Sequence, residues 1–269
     1  MPEQVGAVPL DWVDLLLATA LVLVAGVVSV AIRAGLERKL AVAAVRTVVQ
    51  LLLVGYVLSW VFRIEEPLVL AGVLLVMIAA AGRAAVARSS RTFSGAQLRA
   101  FGTLVLTGCA TTFVVTAVVI RVDPWWRPQY VIPLLGMILG NGLTGISLCL
   151  DQMLETLTER RARVEMELAL GATRWEAVRD PLADAVRRGM IPILNSMAVV
   201  GIVSLPGMMT GQILQGADPV DAVKYQIVVM FMIAAATSSG CMLIAVLVYR
   251  RLFNERHQLL SHHVTKRDA

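Results

Sequence analysis

Charge is scarce in this chain. Asp, Glu, Lys and Arg make up 16% of its 269 residues, against 58% hydrophobic ones. A soluble domain of this length carries about 25% charged and about 45–50% apolar residues, so the composition points to lipid as solvent. Lysine is scarcer still: Lys39, Lys224 and Lys266 follow Arg38, Val223 and Thr265. A phosphate-cradling GxxxxGK[ST] loop needs its lysine directly after glycine, so no ATP is bound here by that device. A retinal protein needs a Schiff-base lysine in its last span, and that segment has none. Histidine occurs only at 257, 262 and 263, behind the last apolar run, where a solvated tail is expected rather than a metal site. Cys109, Cys149 and Cys241 stand apart in apolar stretches without CxxC spacing and read as small packing residues. The first fourteen residues hold no basic n-region, so a cleaved signal peptide is not expected.

What is present is a series of long apolar runs. Seven segments meet the bilayer requirement of about 17–25 apolar residues: 12–32, 40–62, 67–87, 100–120, 130–150, 190–214 and 227–249. The third is the least secure at its inner end, where Arg83 can snorkel. Of the 24 basic residues, 19 fall in loops and tail on one side. The positive-inside rule then sets the N-terminus outside and the tail, 250–269, in the cytoplasm. These basic residues are loop charges, so no nucleic-acid partner is expected. Trp125, Trp126 and Tyr130 mark an outer boundary. The expectation is a single all-α polytopic domain of about seven spans over residues 1–269, with a cytoplasmic elbow at 151–189.

The elbow is the best-organised loop. No Gly or Pro interrupts 146–170, so the fifth span should continue as helix into the cytoplasm, by about 30 Å over roughly twenty residues. Leu154, Leu157, Val164 and Leu168 form an apolar stripe interrupted by Arg161. Gly171 suits a left-handed cap, Thr173 with Glu176 a capping box, and Pro181 a kink or restart. Two capped helices joined at Gly171–Ala172 are either a plain surface pair or a coupling element that docks on a partner.

Polar and small residues inside the spans mark a candidate path. Arg46 and Gln50 share one helical face. A charge in the bilayer costs about 2.5–3.5 kcal/mol on insertion scales, so Arg46 either faces protein or water, or snorkels inward. Gly136, Gly140 and Thr144 make a close-packing face beside Asn141. In the sixth segment Asn195 and Ser196 lie at depth, Pro206–Gly207 should break the helix, and Met208 and Met209 offer thioethers. Soft thioethers suit soft metals, although methionines at a kink are commonly gap-fillers. No residue is assigned as a metal ligand.

The runs Arg46 to Leu51 and Val54 to Leu58, Val131–Ile132–Pro133 through Asn141, Ser204 to Gly211, Gly216 to Pro219 with Lys224 to Ile227, and Leu168 to Thr173 resemble the FetB-type iron-export permease family, related to plant aluminium-sensitivity permeases. The likeness runs from the second span into the tail, and the first span matches in hydrophobicity alone. It implies a permease of an ABC transporter in the bacterial cytoplasmic membrane, paired as two permeases with two separately encoded ATPases that hold the ATP-Mg. It implies iron export by alternating access, with no cofactor and no catalytic residue in this chain. The coupling role falls on Glu165, Glu167, Leu168, Gly171, Ala172 and Thr173. Glu165 and Gly171 keep the offset of the Glu-Ala-Ala-x-x-x-Gly elbow of ABC importers, with Met166 and Glu167 in place of the alanines. The rival readings are an ABC permease for a nucleotide-sugar or another metal, and a passive channel or membrane sensor.

Overall fold

A computed structural model describes residues 11–64, 66–261 and 264–266. In lipid, every backbone polar group must be satisfied within the chain, and these residues answer with helices. In order they are α1 (Trp12–Ala31), α2 (Glu37–Ile64), α3 (Pro67–Ala87), α4 (Ala96–Phe113), α5 (Pro128–Glu159), α6 (Arg161–Ala169), α7 (Arg174–Val199), α8 (Gly207–Leu214) and α9 (Pro219–Leu252). Beyond Phe113 the last turns of α4 widen into a π-helix, Val114–Val119. Six helices, counting α4 with that extension, are long and apolar enough to cross a membrane among the described residues.

Segment 190–214, the sixth of the seven expected spans, is not one of them, which corrects that expectation. Its first part is the end of α7, which starts far below at Arg174 in charged sequence and runs unbroken through Pro181 and Pro192. Its last part is the short α8. Between them Gly201 takes a left-handed φ of +81°, and its N–H donates to the Ser204 carbonyl at 2.9 Å. The Val199 carbonyl accepts from Val203 N–H at 3.0 Å. Local turns thus satisfy the backbone groups the break sets free. At 26 residues, α7 is about 39 Å long and packs along α5 and α9.

The central packing unit is α5, α7 and α9. They approach at Gly145, Gly189 and Cys241, where small residues let backbones close in. A Cβ on Gly189 would lie 2.7 Å from Cys241 Sγ and 2.7 Å from the Gly145 carbonyl oxygen. Below this crossing Leu150, Met153, Leu154, Leu157, Val178 and Leu252 are fully buried. The expected apolar stripe therefore packs inward: Leu154, Leu157 and Val164 are buried and Leu168 lies against the same core. The α3 and α4 helices flank this unit, and α1 and α2 form a separate hairpin closed by Ser29, whose hydroxyl accepts from Leu36 N–H at 3.0 Å.

Two details depart from an all-helical reading. The helix beyond the fifth span halts once, at Arg160, before α6 resumes. The tail is not simply solvated: β2 (Val264–Lys266) pairs antiparallel with β1 (Arg91–Phe93) of the α3–α4 loop. That loop is anchored on α5 by Asp151, whose Oδ1 accepts from the Ser90 N–H at 2.9 Å and its hydroxyl at 2.6 Å. His262 and His263 lie outside the described residues.

Candidate functional site

The elbow is built by two helix ends and one glycine. Gly171 adopts φ +95°, and the Gly171 and Ala172 N–H groups donate back to the Leu168 and Glu167 carbonyls, each at 3.1 Å. That is the left-handed stop the sequence called for. Thr173 then opens α7: its hydroxyl accepts from the Glu176 N–H at 3.3 Å, and its own N–H donates to the Glu176 carboxylate at 2.8 Å. The backbone and hydroxyl hydrogen bonds from Thr173 hold the Glu176 carboxyl below the usual carboxylate range. In the crook behind the turn, Arg160 and Arg163 face Glu167, Glu176, Asp180 and Asp184.

All six expected coupling residues lie in this elbow, but they face different ways. Glu165 and Glu167 are engaged along α6 by Arg161 at 2.6 Å and Arg163 at 3.1 Å. Leu168 turns toward the core, while Gly171 and Thr173 are exposed and Ala172 is half-buried. The outward apolar surface belongs to residues the sequence reading passed over: Met166 at 56% exposure, Leu170 at 80% and Trp175 at 47%. Their signal was available, since Met166 and Leu170 sit one turn apart, off the stripe defined by Val164 and Leu168.

The second candidate region surrounds the α7–α8 break. Pro206 is the N-cap of α8; Met208 is half-buried and Met209 buried. Met208 joins an apolar cluster with Met137 of α5, Met190 and Met197 of α7, and Met230 and Met232 of α9. Four helices thus bring six thioethers to one cluster. Gln212 and Gln226 bring buried amide oxygens with no hydrogen-bond partner among the described residues. On α5, Asn141 Nδ2 donates to the Met137 carbonyl at 2.9 Å, which answers the need of a mid-span amide for a partner. No group of three or more His, Cys, Asp or Glu poised for a metal occurs among the described residues.

The remaining path candidates do not join that cluster. Asn195 and Ser196 are exposed on α7, with the Ser196 hydroxyl turned to the Pro192 carbonyl at 2.9 Å. Arg46 and Gln50 are exposed on α2. That helix meets the rest of the molecule near its C-terminal end, through Leu58, Val61 and Phe62 against Leu70, Val131 and Ile132.

These helices define an all-α, multi-pass membrane protein. The chain belongs to the UPF0014 family, described as an uncharacterised protein family, which it matches over residues 12–253. It is 35% identical over 250 residues to the UPF0014 membrane protein YjkA of Bacillus subtilis, covering 93% of this chain and 98% of that one. It is 34% identical over 255 residues to the probable iron export permease protein FetB of Escherichia coli, covering 94% and 96%. It is 32% identical over 245 residues to the protein ALUMINUM SENSITIVE 3 of Arabidopsis thaliana, covering 91% and 88%. No solved structure matches the chain.

Proposed function

We propose that this chain is the permease subunit of an ABC transporter that exports iron from the cytoplasm, driven by ATP hydrolysed in a separate subunit. The observation that carries the ATPase half of the proposal is the elbow tip. Met166, Leu170 and Trp175 expose apolar surface between two tightly capped helices. Inside the hydrocarbon that would mean nothing, but the elbow follows a long helical extension of α5 among arginines, on the side the positive-inside rule assigns to the cytoplasm. In water, an apolar knob on a rigid mount is a docking surface. ATP-Mg belongs to the docked partner, and closure of a pair of ATPases moves the elbows of two permeases. The N-terminus is outside and the tail inside the bacterial cytoplasmic membrane.

The metal half of the proposal draws on the similarity to the iron export permease and on the thioether cluster at the α7–α8 break. Thioethers favour softer cations over hard ones, so iron would pass as the ferrous ion. Arg46, Gln50, Asn195 and Ser196 face outward from one copy, where a second copy can enclose them with the path between.

The test is ATP-dependent iron accumulation in inverted membrane vesicles holding this chain and its cognate ATPase. Accumulation that vanishes with an ATPase-dead partner is the expected result. Absence of iron accumulation in vesicles where the two proteins co-purify would overturn iron as substrate and redirect the search to nucleotide-sugars or another metal. Transport by the chain without any ATPase would overturn the ABC assignment. Gly171→Val forces a β-branched residue into φ +95°, and ATP hydrolysis should then continue with transport reduced at least tenfold.

A further inference from the structure

The turn that follows α9 reaches back to the first residue of α7, 83 positions away in sequence. Asn254 organises that turn: its Oδ1 accepts from the Arg256 N–H at 3.0 Å and the Gln258 N–H at 2.9 Å. His257 sits within it at φ +56°. This left-handed position aims the imidazole at the elbow, and Nδ1 accepts the Arg174 N–H at 2.9 Å. The Arg174 N–H is one of the four donors that a helix start leaves without an intrahelical partner. The start of α7 is therefore capped from two sides, locally by Thr173 and remotely by His257. Other contacts fasten the same point to the end of α9. Arg174 Nη1 donates to the Asn254 carbonyl at 3.2 Å, its guanidinium lies 5.9 Å from the centre of the Tyr249 ring, and Trp175 meets that ring edge-on at 5.6 Å.

We propose that His257 is a positioning residue for the elbow: its unprotonated Nδ1 holds the first turn of α7 against the end of α9, and protonation of the ring from the cytoplasm releases it. The proposal rests on the elbow being the coupling element. Once Nδ1 carries a proton it is a donor and cannot accept the Arg174 N–H. The imidazolium would then face the positive end of the α7 dipole. The charged residues of the segments that meet here are Arg174 and Glu176 in the first turn of α7, Arg250 and Arg251 in the last turn of α9, and Glu255 and Arg256 in the turn of His257 itself. The Glu176 carboxylate of that turn is already bound by Thr173. Among side chains, imidazole is the one whose ordinary charge change lies between about pH 5 and 8, which sets the two pH values of the test.

Two substitutions separate a cap from a structural filler. His257→Asn keeps an acceptor the same number of bonds from the backbone, tolerates positive φ and does not titrate. His257→Gly tolerates the same φ and has no acceptor. The assay uses the full-length permease with its ATPase, measuring hydrogen-exchange protection across 171–177 and iron moved per ATP hydrolysed, at pH 8 and pH 5.5. Wild type should match the Asn variant at pH 8 and the Gly variant at pH 5.5, with protection of the first turn of α7 differing about fivefold between those states, as for one lost cap. Transport per ATP should follow the same pattern. Wild-type protection that matches the Gly variant at pH 8, or that does not change with pH, overturns the cap. If protection behaves as stated while transport per ATP is constant, Gly171→Val decides: uncoupling by that variant overturns only the role of His257, and its failure to uncouple overturns the elbow assignment as well.

Discussion

The α1–α2 hairpin and the α5–α7–α9 unit are both apolar, yet one is almost bare and the other densely packed. In α1 only Ser29 is buried, and in α2 only Val61. In the central unit Cys149, Met153, Cys241, Ile244 and Val248 reach zero exposure. Water would not tolerate the first arrangement. Lipid tails are as apolar as leucine and supply no hydrophobic drive between helices, so a span can be satisfied without protein neighbours. What separates the two regions is side-chain size at the points of approach. The central unit places Gly145, Gly189, Thr237 and Cys241 where backbones meet, while the hairpin presents Leu and Val outward. In this solvent small residues, more than large apolar ones, mark the core.

The comparison can be broken or sharpened at named positions. The largest effect belongs to Gly189→Val: the Gly145 carbonyl and Cys241 Sγ occupy the space of the new Cβ, and backbone cannot yield. We expect loss of monodisperse protein in detergent, whereas Gly55→Val, where nothing lies within 4 Å, should leave chromatography and melting unchanged; equal behaviour of the two would dissolve the distinction. Next comes Arg46→Leu. Its side chain makes no hydrogen bond among the described residues, and its removal lowers the insertion cost by up to about 2.5–3.5 kcal/mol. The expected outcome is undiminished thermal stability with transport reduced at least tenfold, and full transport would return Arg46 to snorkelling. A smaller change is expected for Thr173→Ala, which removes the hydroxyl that accepts the Glu176 N–H: exchange at the start of α7 should rise about threefold to fivefold. Smallest is the acid response of that cap. The Glu176 carboxyl is held below its ordinary range by Thr173, so its contribution is complete above the unfolded carboxyl pKa and fades as pH falls through the lower folded value. Proteolysis of the elbow should therefore accelerate further in that acid window, and a Glu176→Gln variant should lack this additional onset.

Much of the fold was legible because local chemistry decided it. Gly171, Thr173 and Glu176 define a stop and a start within six residues, and the structure has both. The break near Pro206 was legible too, but its depth in the chain was not. Residues 190–199 belong to a helix that begins at Arg174, and hydropathy cannot join a charged segment to an apolar one when tertiary packing makes them one rod. Pro181 and Pro192 stay within that rod, against the simple breaker rule. The outward tip was legible only in part: Met166 and Leu170 stand off the Val164–Leu168 stripe, but Trp175 comes from the next helix, across the left-handed turn at Gly171. The His257 cap and the β1–β2 pair were not legible at all: each joins residues whose meeting depends on the completed bundle.

That pair gives the chain an order of completion. Thr265 contacts Thr92 across 173 positions, and His257 reaches Arg174 across 83. A nascent chain emerges N-terminal first, so α1 to α9 are available to the bilayer before residues 253–266 exist outside the ribosome. Until then β1 has no partner strand and the first turn of α7 lacks its second cap. The surface that an ATPase would grip is thus the last part of the permease to mature, and an interrupted chain would carry inserted helices while withholding a finished elbow. With the proposed ATPase as partner, assembly would then follow insertion.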